Sequence, residues 1–443
     1  MLSIRKVGVD IQCAQFRKLL VQYLPNDGTL PLQVADRRVR WSPRLLLLFG
    51  IVMQLMGEAS LGDRFENARV AITGMYPTRR RVGGTYAGFV NAMIRRGGQA
   101  IKVLADHLRQ LMPQVFAAMW KIDGRVVFAV DGSRFECPRT RANEQLGRAG
   151  RKKSGPQFML TTLFHVATGL PWGWLTGAGK TSERRHLRDM LSLIPAGSWL
   201  LADAGFTGFD LLTELQNRGI NFVIRCGSNV TLLKGLGYRV RTHKDVVYLW
   251  PETAREGRKQ PLILRLVRIA GERSEVCLLV SELDRRQVSN AEVLKLYRKR
   301  WGVEVFFRSL KQTMSRGRMQ SDAPDNGAAE LDWSMMSIWM LGMVMLQQMQ
   351  SVDRKAQDWS LAGGLRVIRR ALTQDRQQRR AMRRFAEDLR CALKDQYVRV
   401  SSKTSRDYPR KKNEPPAGAP KVRTATKSEV KLAQRLRSEL RAA

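Results

Sequence analysis

Two short apolar runs, each followed by an aspartate, constrain the fold of this chain more than any other feature. Asp131 follows the run at residues 125–130, and Asp203 follows the run at residues 198–202. Apolar runs of this length predict buried β-strands. Acidic ligands gather at strand ends in α/β cores, and carboxylate oxygens bind divalent cations. The two runs therefore predict an α/β core with a carboxylate site at its strand ends.

A third carboxylate, Glu304, lies in a segment that is predicted to be helical. Ser289 and Glu292 have the spacing of a capping box, which marks the start of a helix. Two carboxylates at strand ends and one on a helix can converge on a pair of divalent cations. Such an arrangement suits phosphoryl transfer on nucleic acid.

The helical segment has one polar and one apolar face. At about 100° per residue, Tyr297, Arg300, Glu304 and Lys311 share an arc of roughly 60°. The face that meets a core carries the apolar residues Val303, Phe306, Phe307 and Leu310. The polar arc indicates a carboxylate flanked by two cations and a phenol. The alternative is a solvated charge ladder with i,i+4 spacing, as on most charged helix faces.

These residues carry a resemblance to a known family. Tyr297, Arg300, Glu304 and Lys311 spell Y-x2-R-x3-E-x6-K, which resembles the signature of insertion-sequence family four, a group of DDE transposases. The residues Asp-Gly-Ser at 131–133 and Ala-Asp-Ala-Gly-Phe at 202–206 resemble the two aspartate motifs of that family. The resemblance covers roughly residues 124–321. It implies a ribonuclease H-like core and cut-and-paste DNA transposition through a hairpin at the transposon end.

The resemblance also implies a role for each acidic residue. Asp131 would bridge two Mg²⁺ ions, while Asp203 and Glu304 would each hold one. Mg²⁺ fits because all three ligands are hard oxygens, and Mn²⁺ is a substitute. Arg300 and Lys311 would clamp phosphates beside the scissile bond, the first as a planar fork and the second as a point charge.

Further residues are candidates for DNA contact. Tyr297 would hydrogen-bond a phosphate, with a semi-buried structural tyrosine as the alternative. Arg316 extends the basic stripe beyond Lys311. A DNA hairpin requires a base pulled from the stack onto an aromatic ring. Trp250 and Trp301 are the candidates for that ring, and packing in the core is the alternative for both.

The charge balance predicts a polyanionic partner. The chain holds 77 Lys+Arg against 39 Asp+Glu, a formal net charge of +38. Such a surface binds phosphates with release of counterions, so the predicted partner is double-stranded DNA, as terminal inverted repeats and as target. A homodimer on DNA, located in the cytoplasm with the nucleoid, is expected. Apolar stretches at residues 45–53 and 334–346 are too short to span a bilayer, so no membrane partner is expected.

The predicted fold class is α/β, with a ribonuclease H-like mixed-sheet catalytic core and a β-rich insertion. The core strands are predicted at residues 124–131, 158–166, 171–175, 199–203 and 221–226. The predicted domains are a helical N-terminal domain with a DNA-binding role as one reading (1–118), the first part of the core (119–229), the insertion (230–285), the second part of the core with the glutamate helix (286–350), basic C-terminal helices (351–400) and a mobile basic tail (401–443).

Smaller elements complete this organisation. A basic turn is predicted at residues 76–84, followed by a helix at residues 85–96. This segment either binds a terminal inverted repeat or belongs to a helical support domain. Within the insertion, short strands are predicted at residues 238–240, 246–250, 262–269 and 275–280. Residues 324–327 are predicted to break the chain before a buried, Met-rich helix. The tail is predicted to end in a short helix.

Other functions fit the sequence less well. The segment Gly-Ala-Gly-Lys-Thr at residues 177–181 resembles the end of a phosphate-binding loop, but Trp174 stands where the pattern needs a glycine. An NTPase is therefore disfavoured. Two rival functions stay open: a catalytically silent, basic DNA-binding relative, and a metal-dependent nuclease of the same fold that does not join strands.

Overall fold

The computed structural model describes residues 11–26, 40–57, 60–75, 82–148, 155–237, 245–270, 275–373, 385–395 and 418–442. The chain divides into two compact units. Unit 1 comprises Met1–Ile122, Gly132–Thr181 and Val303–Asp395, and unit 2 comprises Asp123–Asp131, Ser182–Gly302 and Gln396–Ala443. Most of the predicted basic turn at residues 76–84 and the predicted strand at residues 238–240 lie outside the described residues.

The helices are, in chain order, α1 (Ile11–Val21), α2 (Pro43–Leu55), α3 (Leu61–Met75), α4 (Tyr86–Ala92), α5 (Gly98–Val115), α6 (Glu183–Met190), α7 (Phe209–Asn217), α8 (Glu252–Glu256), α9 (Asn290–Arg298), α10 (Trp301–Arg308), α11 (Pro324–Gln350), α12 (Leu361–Thr373), α13 (Phe385–Arg390) and α14 (Lys427–Ala442). The strands are β1 (Val127–Glu136), β2 (Gln157–His165), β3 (Leu170–Ala178), β4 (Trp199–Ala202), β5 (Asn221–Cys226), β6 (Thr231–Lys234), β7 (Val246–Leu249), β8 (Leu262–Ile269), β9 (Val276–Val280) and β10 (Lys421–Thr424).

Unit 1 is mainly helical and is built around α11. Trp333 and Trp339 on this helix are fully buried. Gly342 packs so closely that a Cβ atom there would lie 2.0 Å from Leu170 Cδ2. The predicted chain break at residues 324–327 is wrong, because Pro324 begins α11 at a position where its missing N–H leaves no helical hydrogen bond unmade. None of the helices in the described ranges is long and apolar enough to cross a membrane.

Unit 2 is built on a mixed sheet with the strand order β10-β6-β7-β8-β9-β5-β4-β1. The first half of β1, β4 and β5 run parallel, whereas β5, β9, β8 and β7 pair antiparallel in that order. The inner strands are apolar on both faces, as parallel strands buried between layers require. Strands β6 to β9 therefore continue the sheet that contains β1, β4 and β5. The sequence predicts most of these four strands.

The second half of β1 belongs to unit 1, where it continues into the order β1-β2-β3. Strands β2 and β3 form an antiparallel hairpin that turns at residues 166–169. Across the sheet, the order β3-β2-β1-β4-β5 is that of a ribonuclease H-like core. The predicted fold class, α/β with this core and a β-rich insertion, is therefore confirmed.

The helix that the sequence predicts through residues 297–311 is not continuous. Helix α9 ends at Arg298, a turn covers residues 299–300, and α10 begins at Trp301. A π-helical turn, Ser309–Thr313, then follows α10. The arc of roughly 60° assumed one uninterrupted helix of about 100° per residue, so it does not describe this segment. The predicted capping box is present, with the Ser289 N–H 2.8 Å from the Glu292 carboxylate.

The C-terminal segment differs from the mobile tail that its charge and prolines predicted. Strand β10 pairs parallel with β6, and α14 is a helix of 16 residues. Glu429 anchors the segment because its carboxylate accepts hydrogen bonds from Arg423 and from Arg255 of the insertion. Hydrogen bonding to Arg423 chiefly lowers the pKa of Glu429 to about 2. Composition alone did not reveal that Arg255 and Arg423 pair with Glu429.

Candidate active site

The strand register of unit 2 places two predicted catalytic acids side by side. In the parallel pair of β1 and β4, Ala129 is opposite Leu201. Two residues further along both strands, Asp131 is therefore opposite Asp203. Neighbouring strands lie about 4.8 Å apart. Asp131 lies in the middle of β1 and Asp203 directly follows β4, so the two aspartates lie side by side on adjacent parallel strands.

Each aspartate is held by a local contact. The Oδ1 atom of Asp203 accepts a hydrogen bond of 2.8 Å from the Ala204 N–H and caps a short 3₁₀ helix, Ala204–Phe206. The Oδ2 atom of Asp131 lies 3.9 Å from Nη1 of Arg300. The side chain of Asp131 is 23% exposed and that of Arg300 is 12% exposed. A cation is therefore fixed beside the first aspartate and partly shielded from water.

Sequence reasoning missed a second cation of this site, Arg225. In the parallel pair of β4 and β5, Ala202 is opposite Ile224, so the next position sets Asp203 opposite Arg225. The row Asp131, Asp203, Arg225 thus crosses three adjacent strands. The clue in the sequence was that Arg225 is the charged residue in an otherwise uncharged predicted strand.

Tyr297, at the end of α9, belongs to the same cluster. The Arg300 guanidinium lies 5.7 Å from the centroid of the Tyr297 ring and hydrogen-bonds the phenol. Burial and the negative charge of Asp203 raise the pKa of Tyr297 to about 12, and the nearby Arg300 and Arg225 offset part of this rise. The phenol therefore keeps its proton at neutral pH and can donate a hydrogen bond.

The two remaining signature residues, Glu304 and Lys311, lie in unit 1. Glu304 is in the first turn of α10 and is partly exposed. The Lys311 ammonium lies 4.9 Å from the centroid of the Phe135 ring, a cation–π distance. Burial lowers the pKa of Lys311, and the charge of Glu136 offsets part of that effect. The lysine is thus positioned by β1, the strand that also carries Asp131.

Two predicted DNA-contact residues are buried instead. Arg316 is 1% exposed, and its guanidinium donates hydrogen bonds to Ser334 Oγ and Gln54 Oε1. Desolvation lowers the pKa of Arg316 to about 9. Trp250 is 2% exposed, and its indole N–H donates to the Lys259 carbonyl at 2.8 Å. These placements correct both assignments, because neither side chain presents a surface to DNA.

Trp301, the other candidate for base stacking, is exposed. Its relative exposure is 53%, which is unusual for a large aromatic residue. It begins α10, directly after Arg300. An exposed indole is a surface on which a displaced base can stack.

The donor chemistry of the aspartate pair fits a hard divalent cation. Carboxylates on two adjacent strands supply oxygen ligands of the kind that Mg²⁺ and Mn²⁺ bind. Within the described part of the chain, no group of three His, Cys, Asp or Glu residues could hold a metal ion. The aspartate pair alone thus offers only part of a ligand set.

Comparison with known proteins finds similarity to transposases. Residues 122–340 match the family model described as "Transposase DDE domain". One curated relative is "Transposase InsG for insertion sequence element IS4" of Escherichia coli (strain K12), which is 24% identical over 234 residues. That match covers 49% of this chain and 51% of the relative, so the chain spans about half the length of the relative.

A solved structure of piggyBac transposase, as a synaptic complex with hairpin DNA, is also similar. It has 12% sequence identity and a TM-score of 0.38, with 90% of this chain and 87% of that chain covered.

Residues 122–340 are therefore similar to a transposase DDE domain. The IS4 relative, at 24% identity, agrees with the insertion-sequence family that the sequence signature resembles.

Proposed function

We propose that this chain is a transposase that cuts DNA at transposon ends and joins those ends to target DNA. The observation that carries the proposal is the row of Asp131, Asp203 and Arg225 at one level of three adjacent strands, within the region that matches the DDE domain model. The net charge of +38 supports duplex DNA as the substrate, as terminal inverted repeats and as target.

The three acids of the family pattern, Asp131, Asp203 and Glu304, would hold two Mg²⁺ ions, with Mn²⁺ as a substitute. Register supports the aspartates, and position in the Y-x2-R-x3-E-x6-K signature supports Glu304. Divalent cations held there would activate the attacking water or 3′-hydroxyl and stabilise the leaving oxygen.

The cations around the aspartates position the phosphates in this proposal. Arg300 presents a planar fork and Arg225 a second guanidinium on the same face, and both can bind phosphate oxygens in two-pronged fashion. Tyr297 donates a hydrogen bond to a phosphate, because its raised pKa keeps the phenol protonated. Lys311 adds a point charge. These groups are preorganised by burial, so they stabilise developing negative charge without first reorganising.

The finer mechanism is cut-and-paste transfer with a DNA hairpin at the transposon end. Its support in the structure is the exposure of Trp301 beside Arg300. A flipped base that stacks on this indole would relieve the strain of the tight hairpin turn. We further propose that the chain acts as a homodimer on DNA in the cytoplasm, since two transposon ends require two sets of catalytic acids.

Substitution of the acids tests the proposed function. Asp131→Asn, Asp203→Asn and Glu304→Gln should each abolish Mg²⁺-dependent cleavage of a labelled transposon end while DNA binding stays nearly intact. Asp123→Asn and Asp210→Asn are matched controls, because both carboxylates are exposed and are paired with lysines at 2.8–2.9 Å. Near wild-type cleavage by any of the three acid variants would mean that its residue is misassigned.

The same assay separates the rival functions. Binding without any metal-dependent nicking by the wild type would identify a silent DNA-binding relative. Nicking without joined product, when target DNA is supplied, would identify a nuclease of the same fold.

A further inference from the structure

The described C-terminal segment, residues 418–442, presents a basic outer surface on unit 2. Lys421 of β10 and Lys427 and Lys431 of α14 are exposed, and we name these three residues the C-terminal cation row. Lys427 and Lys431 lie one helical turn apart, which sets them about 6 Å apart on the same face. Within the described ranges, the structure pairs none of the three with a carboxylate.

The acids of this segment face the insertion instead. Glu429 pairs with Arg255 and Arg423, and Glu439 pairs with Arg258 at 2.7 Å. The apolar face of α14, which includes Ala433 and Leu436, is buried. Docking of the segment therefore uses its negative and apolar groups and leaves lysines on the outside.

The sheet sets the approximate distance of Lys421, in β10, from the proposed catalytic aspartates. Strands β4 and β10 are both in unit 2, and β5, β9, β8, β7 and β6 lie between them. At about 4.8 Å per strand, the distance across the sheet is about 29 Å. Duplex DNA rises about 3.4 Å per base pair, so this distance equals about 8–9 base pairs.

We propose that the C-terminal cation row binds the phosphate backbone of the transposon end, about 8–9 base pairs inside the bond that is cut. The inference rests on the proposed function. The transposon side is favoured because that duplex must stay bound from cleavage until joining, whereas the flanking duplex leaves after cleavage. The contact reads no sequence, since lysines on a backbone set position and affinity.

The test uses the full-length chain with Lys421→Gln, Lys427→Gln and Lys431→Gln combined. The salt dependence of binding is measured on three DNAs: a full end, an end whose transposon arm stops about 6 base pairs inside the bond, and an end with an equally shortened flank. Three lost phosphate contacts should reduce the log–log salt slope by about 2.7 on the full end and weaken binding there by about 10–100-fold.

The two shortened DNAs show on which side of the cut bond the C-terminal cation row contacts the duplex. The variant and the wild type should differ on the full end and on the flank-shortened end, and should be alike on the end with the short transposon arm. The triple Lys→Arg variant is the matched control, because it keeps the charge and should bind like the wild type. Thermal unfolding of all three proteins should coincide, since the substituted side chains are exposed.

Two results would overturn the inference. One is an unchanged salt slope in the triple Lys→Gln variant. The other is a loss of binding that follows the flanking arm or persists on the short transposon arm, which would assign the row to flanking or target DNA. Failure of the proposed function looks different, because the wild type would then bind the ends but neither cut nor join them with Mg²⁺.

Discussion

Removal of the guanidinium beside Asp131 should separate phosphate positioning from metal binding. Arg300 Nη1 lies 3.9 Å from Asp131 Oδ2, and both side chains are less than one quarter exposed. At an effective dielectric constant of about 20, two unit charges at this distance interact with about 4 kcal/mol. A phosphate oxygen bound in the same place would gain a similar amount. Loss of one preorganised charge-stabilising group generally slows catalysis by about 10²–10³-fold, which agrees with that energy.

The assay is single-turnover cleavage of a pre-bound transposon end at saturating Mg²⁺. Arg300→Ala should cleave about 10²–10³-fold more slowly than the wild type. Arg300→Lys should recover only part of the rate, because an ammonium cannot reproduce a planar fork. The Mg²⁺ dependence should stay saturable in both variants, since the carboxylates remain. Arg298→Ala is the matched control, because Arg298 is the same residue type two positions earlier and is exposed.

The reasoning is refuted if Arg300→Ala cleaves within about threefold of the wild type, as Arg298→Ala should. The polar residues of the signature would then be a solvated charge ladder, and their match to insertion-sequence family four would lose its mechanistic meaning. A loss of Mg²⁺ saturation in Arg300→Ala would instead show that the arginine organises the carboxylates rather than the phosphate.

Four further predictions concern single substitutions. Trp301→Ala should reduce hairpin formation in a gel assay but leave first-strand nicking intact, whereas Trp250→Ala should lower stability by about 3–5 kcal/mol in chemical denaturation, because Trp250 is in the core. Burial raises the pKa of Asp332 to about 6, so the folded state loses stability as pH rises from about 4 to 6; Asp332→Asn should remove that pH dependence from thermal unfolding and be the more stable protein at pH 8. Gly342→Ala should destabilise unit 1 by about 1–3 kcal/mol in the same denaturation assay, since its Cβ would overlap a Leu170 methyl group.

The strands that surround the aspartates were predictable from sequence because buried strands consist of short apolar runs. Residues 221–226 and 262–269 were predicted as strands with the bounds of β5 and β8. For β1, the predicted strand stopped at Asp131, whereas β1 continues to Glu136. The polar residues 131–134 ended the apolar pattern there, while pairing with a neighbouring strand does not depend on that pattern.

Contacts between distant residues account for what the sequence did not predict. Arg316 looked like a surface cation, yet Gln54 and Ser334 satisfy its guanidinium inside unit 1. No local pattern distinguishes a buried, fully bonded arginine from a solvated one, because the difference lies in partners far along the chain. Arg225 was not predicted as a site residue because its position opposite Asp203 follows only from the strand register.

The interruption after α9 changes how the family signature is understood. Tyr297 and Arg300 belong to the unit that holds both aspartates, whereas Glu304 and Lys311 belong to the other unit. The spacing of the signature along the chain is therefore not the spacing of one helical face. The first half of the signature supplies the Tyr297 phenol and the Arg300 guanidinium, which lies beside Asp131. Substitutions in the two halves consequently test different roles. Those at Tyr297 or Arg300 should slow cleavage at saturating Mg²⁺ through the loss of phosphate positioning, whereas Glu304→Gln should abolish Mg²⁺-dependent cleavage.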